Sequence, residues 1–474
     1  MTELDRKNLT ALVERERVRY HNEHPGSLAV HESSDHLFGR VPMTWMTRWS
    51  GGFPVTFATA KGNRVTDIDG FNYIDFSLGD TAAMAGHSPA ATVDALLRRA
   101  GTLGGISTML PTEDAEWVGN ELSRRFGLPA WSFTLSATDA NRWSIRLARL
   151  VTGKSKILVF SYCYHGSVDE TFVVIDPHGV ARSRPGNVAP GVDPLDTTRV
   201  AEWNDLAAVE RELSYGDVAA ILMEPAMTNI GIVLPQDGFH DDLRRLATKY
   251  SALLMIDETH TFSAGPGGMT ARDGLLPDIV VIGKSIGGGV PCGAYGLSES
   301  VASAVHARAQ EGSADIADVG GVGGTLAGNA LSMAAMRATL EHVLTESSFE
   351  HMINLATRYT TSVEQILTDA DLSWSITQLG ARSEYRFARP APQSGGESAL
   401  ATDDQLDEYM HLYMINRGIL MTPFHNMALM CPETSASDVD RHSQVFSEAV
   451  SELETSTPGR RSVAPRRRAP NGRE

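Results

Sequence analysis

The sequence predicts an α/β fold in which helices flank a mostly parallel central sheet, with a smaller α+β domain formed from the N- and C-terminal segments. Helical and strand patterns alternate between residues 81 and 329, as they do where crossover helices connect parallel strands. Several strand patterns end in a polar residue, which places functional side chains at the carboxyl edge of the sheet. With 474 residues, 42% of them hydrophobic, the chain can bury more than one domain core.

The N-terminal segment, residues 1–80, is expected to hold a polar helix and a small β unit. Leu9, Leu12 and Val13 form a sparse apolar stripe at helical spacing. Short strand patterns follow between residues 55 and 76.

The alternating region, residues 81–329, is predicted to be the large domain. Its helical patterns include residues 91–99 and 205–213, and its apolar strand patterns include residues 157–160 and 219–224. A binding site on such a domain is expected where the parallel strands end.

Residues 330–455 are predicted to form the small α+β domain. Helical patterns cover residues 330–371 and 437–453, and a strand lies near residues 380–387. Between them, residues 391–401 are rich in Pro, Gly and Ser and are expected to form a loop.

Composition limits the cellular setting and the partners. Residues 456–474 carry six arginines and one acid and are expected to form a disordered basic tail, yet the net charge of −17 argues against nucleic-acid binding by the folded body. There is no apolar run long enough to span a membrane, and the charged N-terminus is unlike a signal peptide, so a cytoplasmic protein is expected. Three cysteines without metal-ligand spacing indicate reduced thiols and no metal site.

Two apolar strand patterns end in groups of opposite charge. One ends at Asp257 and the other at Lys284, which enters the glycine-rich turn of residues 285–289. An amine that can form a Schiff base and an anion that can pair with a pyridinium nitrogen are what pyridoxal phosphate chemistry requires. Two unrelated polar residues at strand ends are the alternative interpretation.

A small-residue turn and an aromatic residue supply further candidates. Ser136, Ala137 and Thr138 lie between a strand and a helix pattern and could present hydroxyl and backbone N–H groups to a phosphate. A capped helix without a ligand is the alternative. After the next strand, Tyr164 precedes His165, and the tyrosine ring could lie on a pyridine ring or belong to the core.

These motifs occur in the order and spacing of class III aminotransferases, and the chain resembles that family from about residue 37 to about residue 453. The branch it most resembles contains glutamate-1-semialdehyde aminomutase and β-amino-acid aminotransferases. The resemblance implies a fold-type I structure, pyridoxal 5'-phosphate as cofactor, and a homodimer, or alternatively a tetramer, with the site at the subunit interface. The motifs are Ser136–Ala140, Tyr164–Gly166, Glu224-Pro225, Asp257–Thr261, Gly283-Lys284 and Gly324–Asn329.

Position by position, the resemblance implies a role for each residue. Lys284 becomes the Schiff-base lysine and proton shuttle, Asp257 the pyridinium partner and Tyr164 the stacking ring. Ala137 and Thr138 would hold the phosphate. The cofactor motifs also contain Ser136, His165, Glu224 and His260, and Thr325 is implied to reach the phosphate of the neighbouring subunit.

Two departures from the family pattern concern the cofactor. Ala137 replaces a common glycine, so the turn must avoid positive φ there or accept strain. Thr259-His260 replaces a valine followed by glutamine or methionine. His260 is expected near the ring hydroxyl of the cofactor, with a histidine bonded to a backbone carbonyl as the alternative.

Other departures concern the substrate. Trp45 stands where β-amino-acid enzymes often have an arginine. Arg382 is the candidate carboxylate anchor, with an ion pair to Glu224 as the alternative. Asp80 stands where the aminomutases have a pocket tryptophan, and it would favour a cationic or hydroxylated substrate unless it caps a helix.

The resemblance therefore implies a ping-pong aminotransferase that moves an amino group from an amine or amino acid to a keto acid or aldehyde. An aminomutase or racemase on the same fold is the first alternative. It differs from an aminotransferase in needing one substrate per cycle rather than two. A non-catalytic protein that binds pyridoxal phosphate is the second.

Overall fold

The computed structural model describes residues 5–312 and 314–455, so the predicted basic tail lies outside the described residues. The helices are α1 (Arg6–Glu23), α2 (Pro25–Ser33), α3 (Ala90–Leu97), α4 (Glu113–Phe126), α5 (Ala137–Thr152), α6 (Pro194–Thr197), α7 (Leu206–Leu213), α8 (Phe239–Lys249), α9 (Gly268–Arg272), α10 (Glu299–Gln310), α11 (Ala330–His342), α12 (Glu346–Asp369), α13 (Gly395–Leu400), α14 (Asp404–Ile415) and α15 (Ala436–Thr455). The strands are β1 (Phe57–Lys61), β2 (Arg64–Asp67), β3 (Asn72–Asp75), β4 (Ala130–Thr134), β5 (Lys156–Phe160), β6 (Val173–Ile175), β7 (Ala181–Ser183), β8 (Thr198–Ala201), β9 (Val218–Met223), β10 (Leu253–Asp257), β11 (Ile279–Gly283), β12 (Gly293–Leu297), β13 (Ser375–Leu379), β14 (Arg382–Arg386), β15 (Ile419–Leu420) and β16 (Met427–Leu429).

The central sheet has the strand order β4-β12-β11-β10-β9-β5-β8. Its middle strands pair in parallel, and β12 runs antiparallel to both β11 and β4. Every residue of β9 and β11 is buried, as expected where helices cover both faces of a parallel sheet. The predicted mostly parallel sheet flanked by helices is confirmed.

The register of the antiparallel strand brings two functional turns together. Gly293 on β12 pairs with Gly283 on one side and with Thr134 on the other. The turns that follow β11 and β4 therefore leave the sheet side by side. Lys284 starts one of these turns, and Ser136 lies in the other.

The terminal segments pack together beside the central sheet. Strand β15 pairs in parallel with β3 and completes the sheet β1-β2-β3-β15. Helix α1 lies against α14, where the buried carboxylate of Glu16 accepts hydrogen bonds from Asn416 and Arg417, the latter at 2.9 Å. Leu9, Leu12 and Val13 are buried in this contact region, as their helical spacing predicts.

Three details differ from the sequence predictions. The loop predicted at residues 391–401 contains the short helix α13, whose N-terminus is capped by the Ser394 side chain. The helix predicted to end at residue 99 continues as a π-helical turn, Arg98–Leu103. No helix starts after Asp80, because residues 78–81 all have positive φ.

Within the described ranges, no helix is both long and apolar enough to cross a membrane. Cys163, Cys292 and Cys431 are all buried and none is in a disulfide.

Candidate active site

The carboxyl ends of β4, β10 and β11 surround a cavity of about 330 Å³, called here the inner cavity. Lys284, Asp257 and the turn before α5 all line it, so the structure brings together the residues that the sequence motifs singled out. The lining residues include Ser136, Ala137, Thr138, Tyr164, His165, Glu224, Asp257, Thr259, His260, Lys284, Pro291 and Cys292.

The N-terminus of α5 opens into the inner cavity. The Ser136 hydroxyl caps the helix by accepting from the backbone N–H of Asp139 at 3.2 Å. The N–H groups of Ala137 and Thr138 have no partner inside the helix and can meet an anion, and the helix dipole favours negative charge there. Ala137 is a helical residue and is absent from the positive-φ residues, so the replacement of glycine at this position causes no strain.

Glycines allow the backbone to approach this helix end closely. A Cβ on Gly166, which has φ +82°, would lie 2.0 Å from the Thr138 hydroxyl oxygen. A Cβ on Gly283 would lie 3.0 Å from Ala137, and one on Gly293 would lie 2.7 Å from the Ser136 carbonyl carbon. The turn before α5 is therefore fixed in place by contacts that only glycine permits.

Asp257 is buried at the end of β10 and is held by three donors. Asn141 Nδ2 lies 2.8 Å and His165 Nδ1 2.9 Å from its Oδ2, and the Thr259 backbone N–H donates to its Oδ1 at 3.0 Å. Burial acts to raise the pKa of the Asp257 carboxyl, but the contacts with His165 and Asn141 lower it, to about 2. The carboxylate is therefore charged at neutral pH.

Lys284 meets Asp80 and His260. Its Nζ lies 3.0 Å from Asp80 Oδ2 and 2.7 Å from His260 Nε2. Lys284, Asp80 and Thr81 all have positive φ, between 51° and 80°. Such backbone conformations are unfavourable for residues other than glycine and cluster at functional sites. Asp80 is thus a neighbour of the lysine and caps no helix.

Arg382 is fully buried on β14, behind His260. Its Nη1 lies 2.9 Å from His260 Nδ1, and its Nη2 lies 4.0 Å from Glu384. The predicted alternative, an ion pair with Glu224, is not formed, because Glu224 accepts the Thr228 hydroxyl instead. The guanidinium has no exposed surface, so it does not reach a substrate carboxylate in this conformation.

The partners of His260 are therefore the side chains of Lys284 and Arg382 rather than a backbone carbonyl.

Glu224 lies on the wall of the inner cavity. Burial raises the pKa of its carboxyl to about 7, although the His165 charge and the Thr228 hydrogen bond act to lower that pKa.

A second cavity of about 620 Å³, called here the outer cavity, adjoins the first. Trp45, Tyr164 and His260 line both cavities. The Trp45 ring packs edge-on at 5.3 Å from Tyr164 and 5.8 Å from Phe424. Asp80 and two cations, Arg48 and Arg184, also line the outer cavity, which could accept both apolar and charged parts of a substrate.

Thr325 lies away from both cavities. Its side chain is exposed, in a segment that runs along α5, where a Cβ on Gly324 would lie 3.9 Å from the Trp143 ring.

Sequence reasoning missed several residues of the site. Asn141, one helical turn after Thr138, is buried beside Asp257 and could have been found as a polar residue on the apolar face of α5. Thr81 contacts His260 at 3.0 Å and carries no motif. Arg48 and Arg184 come from separate loops, and their convergence has no signal in the sequence.

The residues present fit pyridoxal phosphate. The helix end at Ser136 suits the phosphate, Asp257 suits a protonated ring nitrogen, and Lys284 suits the aldehyde. One buried polar atom of a residue that lines the inner cavity, the Thr259 hydroxyl oxygen, has no hydrogen-bond partner within the described chain.

Comparisons with known proteins agree with this arrangement. The family model described as aminotransferase class III matches residues 45–444. A glutamate-1-semialdehyde 2,1-aminomutase from Roseiflexus castenholzii is 35% identical over 382 residues, 79% of this chain and 84% of the relative.

Solved structures extend the similarity. The crystal structure of a glutamate-1-semialdehyde-aminomutase from Pseudomonas aeruginosa PAO1 is 46% identical with a TM-score of 0.92, covering 95% of this chain and 99% of that one. A β-phenylalanine aminotransferase from Variovorax paradoxus is 25% identical with a TM-score of 0.81, covering 94% and 97%.

Proposed function

The chain belongs to the class III aminotransferases, fold-type I enzymes that use pyridoxal phosphate, and we propose that it is a ping-pong aminotransferase acting on a small amine or amino acid and a keto acid or aldehyde. The observation that carries this proposal is the Asp80 carboxylate 3.0 Å from Lys284 Nζ, at the border of the outer cavity. By the family resemblance, Asp80 stands where the aminomutases have a pocket tryptophan.

When bound, pyridoxal phosphate supplies an electron sink for the pair of electrons left when the substrate Cα–H is broken. Asp257 supplies the negative charge that keeps the ring nitrogen protonated. Lys284 accepts the Cα proton at Nζ and returns it. The N–H groups at the start of α5 hold the phosphate, and the Trp45, Tyr164 and Phe424 rings exclude water from one wall of the cleft.

If the resemblance holds at this position, Asp80 replaces a tryptophan of the aminomutases and differs from it in charge as well as in size. Burial acts to raise the pKa of Asp80, but Lys284, His260, His425 and Arg382 hold it far below the usual range, so the carboxylate is ionised. An anion beside the reacting lysine favours substrates with a second amino group or a hydroxyl group over a substrate whose remaining end is a carboxylate.

An aminomutase is the second candidate. It is favoured by the 46% identity and 95% coverage relative to the P. aeruginosa structure that bears this name. Arg48 and Arg184 in the outer cavity could then hold the carboxylate of the substrate.

Stoichiometry distinguishes the two. The yellow holoenzyme should be mixed with one compound at a time from a panel of diamines, amino alcohols, α- and β-amino acids and glutamate 1-semialdehyde, while cofactor absorbance and product are followed. For an aminotransferase, a donor alone bleaches the cofactor and yields at most one product per site until a keto acid is added. Many turnovers of one amino compound without an acceptor would contradict the proposal and support the aminomutase. Lys284→Ala is the control that should bind the cofactor without turnover.

The proposed assembly is a cytoplasmic homodimer with Thr325 of each chain at the partner's phosphate. Thr325 is exposed, as a residue that acts on a partner must be. A run of exposed apolar side chains supports burial by a second chain. These are Leu97, Leu103, Ile106, Met109 and Leu110, between 46% and 80% exposed.

A further inference from the structure

His260 lies between Lys284 and Arg382. Its Nε2 is 2.7 Å from Lys284 Nζ, and its Nδ1 is 2.9 Å from Arg382 Nη1 and 3.0 Å from the Thr81 hydroxyl. Both ring nitrogens are thus engaged by side chains. Arginine has five N–H donors, no acceptor and a charge that it does not lose, so His260 Nδ1 must accept a hydrogen bond.

This constraint leaves one protonation state for His260, since tautomers are inferred from the hydrogen-bond network. The imidazolium and the Nδ1–H tautomer both place a hydrogen against the N–H of Arg382 at 2.9 Å. The Nε2–H tautomer instead directs its hydrogen at Lys284 Nζ, 2.7 Å away. Nζ must then supply a lone pair, which an amine has and an ammonium lacks.

We propose that His260 is a positioning residue that keeps the Lys284 amine unprotonated, and that Arg382 does so through it by fixing the Nε2–H tautomer. The inference rests on the proposed role of Lys284. An unprotonated amine can accept the Cα proton of the substrate. Once it has become an ammonium it faces the N–H of His260, which favours return of the proton in the next step.

The charges that face His260 come from Lys284, Asp80, Arg382 and Asp257. Burial, the Lys284 ammonium in the steps where it is present, and the charge of Arg382 lower the pKa of His260 well below its usual value, while Asp80 and Asp257 oppose this shift. The ring is therefore neutral, and Arg382 selects its tautomer. Asp80 accepts an N–H from Lys284 in either protonation state, and its negative charge favours the ammonium, so His260 and Asp80 act in opposite directions.

Glutamine and methionine, which the family resemblance gives as the usual residues at position 260, provide two matched variants. In His260→Gln, the side-chain carbonyl can accept from Arg382 while the amide N–H donates to Lys284, as the Nε2–H tautomer does. In His260→Met, the side chain has similar length but no donor. Both substitutions occur naturally in the family that the chain resembles, but only His260→Gln retains a donor to Lys284.

The test is competitive acetylation of the cofactor-free, full-length chain with trace acetic anhydride between pH 6 and 11. Only an unprotonated amine forms the amide, with release of acetate and a proton. Mass spectrometry then gives the labelling of Lys284 relative to exposed Lys61 in the same sample. Wild type and the two His260 variants are compared, and Arg382→Gln is made in the wild-type and His260→Met backgrounds.

At pH 7, His260→Gln should match wild type, and His260→Met should label Lys284 about tenfold less. Arg382→Gln should reduce labelling in the wild-type background only. Equal labelling of wild type and His260→Met would overturn the proposal. An Arg382→Gln effect of the same size in both backgrounds would also overturn it, because that effect would be purely Coulombic.

If Arg382→Gln does not fold, as judged by circular dichroism, the comparison of His260→Gln with His260→Met decides alone. The labelling requires no turnover. A holoenzyme that transaminates no donor, while its Lys284 labels as expected, would count against the proposed function and leave the role of His260 intact.

Discussion

Three hydrogen-bond donors surround the buried carboxylate of Asp257. Its donors Asn141, His165 and Thr259 come from three different elements. Because its pKa is lowered to about 2, the carboxylate stays ionised throughout the range in which an enzyme is assayed. The negative charge, rather than proton transfer, is what this residue can contribute.

We predict that Asp257→Asn reduces kcat by about 10²–10³-fold, because the amide cannot stabilise a protonated ring nitrogen. The cofactor should still bind, since Lys284 and the α5 N-terminus are unchanged. Stopped-flow absorbance with a competent donor measures the rate, and the visible spectrum measures binding. Wild-type activity that varies between pH 5 and 9 should keep the same midpoint in Asp257→Asn, because Asp257 does not titrate there. A midpoint displaced by a full pH unit would show that Asp257 sets it.

At this scale, strand ends were predictable and side-chain partners were not. Lys284 and Asp257 end apolar strands, and such strands have a fixed direction. Arg382 also lies on a predicted strand, but its contacts depend on where β14 packs relative to His260, 122 residues earlier. A local sequence pattern cannot show which residues so far apart in the chain come into contact.

The element that organises the phosphate end of the site is α5 with the turns packed against its first residues. Two glycines with positive φ near this helix have very different surroundings. A Cβ on Gly166 would lie 2.0 Å from Thr138, whereas a Cβ on Gly153, at the C-terminus of α5, would meet nothing within 4 Å. Alanine substitutions at Gly166 and Gly153 therefore distinguish the effect of displacing the helix N-terminus from the effect of backbone strain alone.

We predict that Gly166→Ala weakens pyridoxal phosphate binding by at least about tenfold, because Thr138 and the first turn of α5 must move away from the phosphate. Gly153→Ala should cost about 1 kcal/mol in stability from strain alone and leave the affinity unchanged. Absorbance titration of the cofactor-free chains gives the dissociation constants, and thermal unfolding gives the stabilities. Equal affinity in both variants would mean that the close approach at Gly166 does not matter.

Elements were predicted well where one periodicity covers the whole segment. The strands of the central sheet are continuous apolar runs, and α12 and α15 have clear helical patterns. Residues 395–400 were missed because α13 is too short to show a period and its sequence is rich in glycine and serine. The left-handed turn at residues 78–81 was missed because three of the four residues are not glycine.

At the scale of the whole molecule, the exposed apolar side chains between residues 97 and 110 are the surface most in need of a partner. We predict that Met109→Glu, at a side chain that is 80% exposed, shifts the protein towards monomer and lowers activity in parallel, because a charge would enter the proposed interface. Leu276→Glu is the matched control, at a residue 72% exposed just before β11 and far from the cleft.

Sedimentation velocity across a concentration series, with activity measured on the same samples, tests this prediction. An active monomer in Met109→Glu would argue that the site needs one chain only. Loss of assembly in both variants would point to general destabilisation instead.

The pairing of β3 with β15 joins residues that lie more than 340 positions apart, Ile74 and Ile419. During synthesis, the strands β1 to β3 leave the ribosome long before the strand that completes their sheet exists. The large sheet, whose strands all lie between residues 130 and 297, can form in the meantime. Until β15 has been synthesised, the edge of β3 with which it pairs remains open, and an open strand edge is prone to aggregation. The newborn chain should therefore depend on chaperones until its last fifth has emerged, although none of the residues involved takes part in the chemistry.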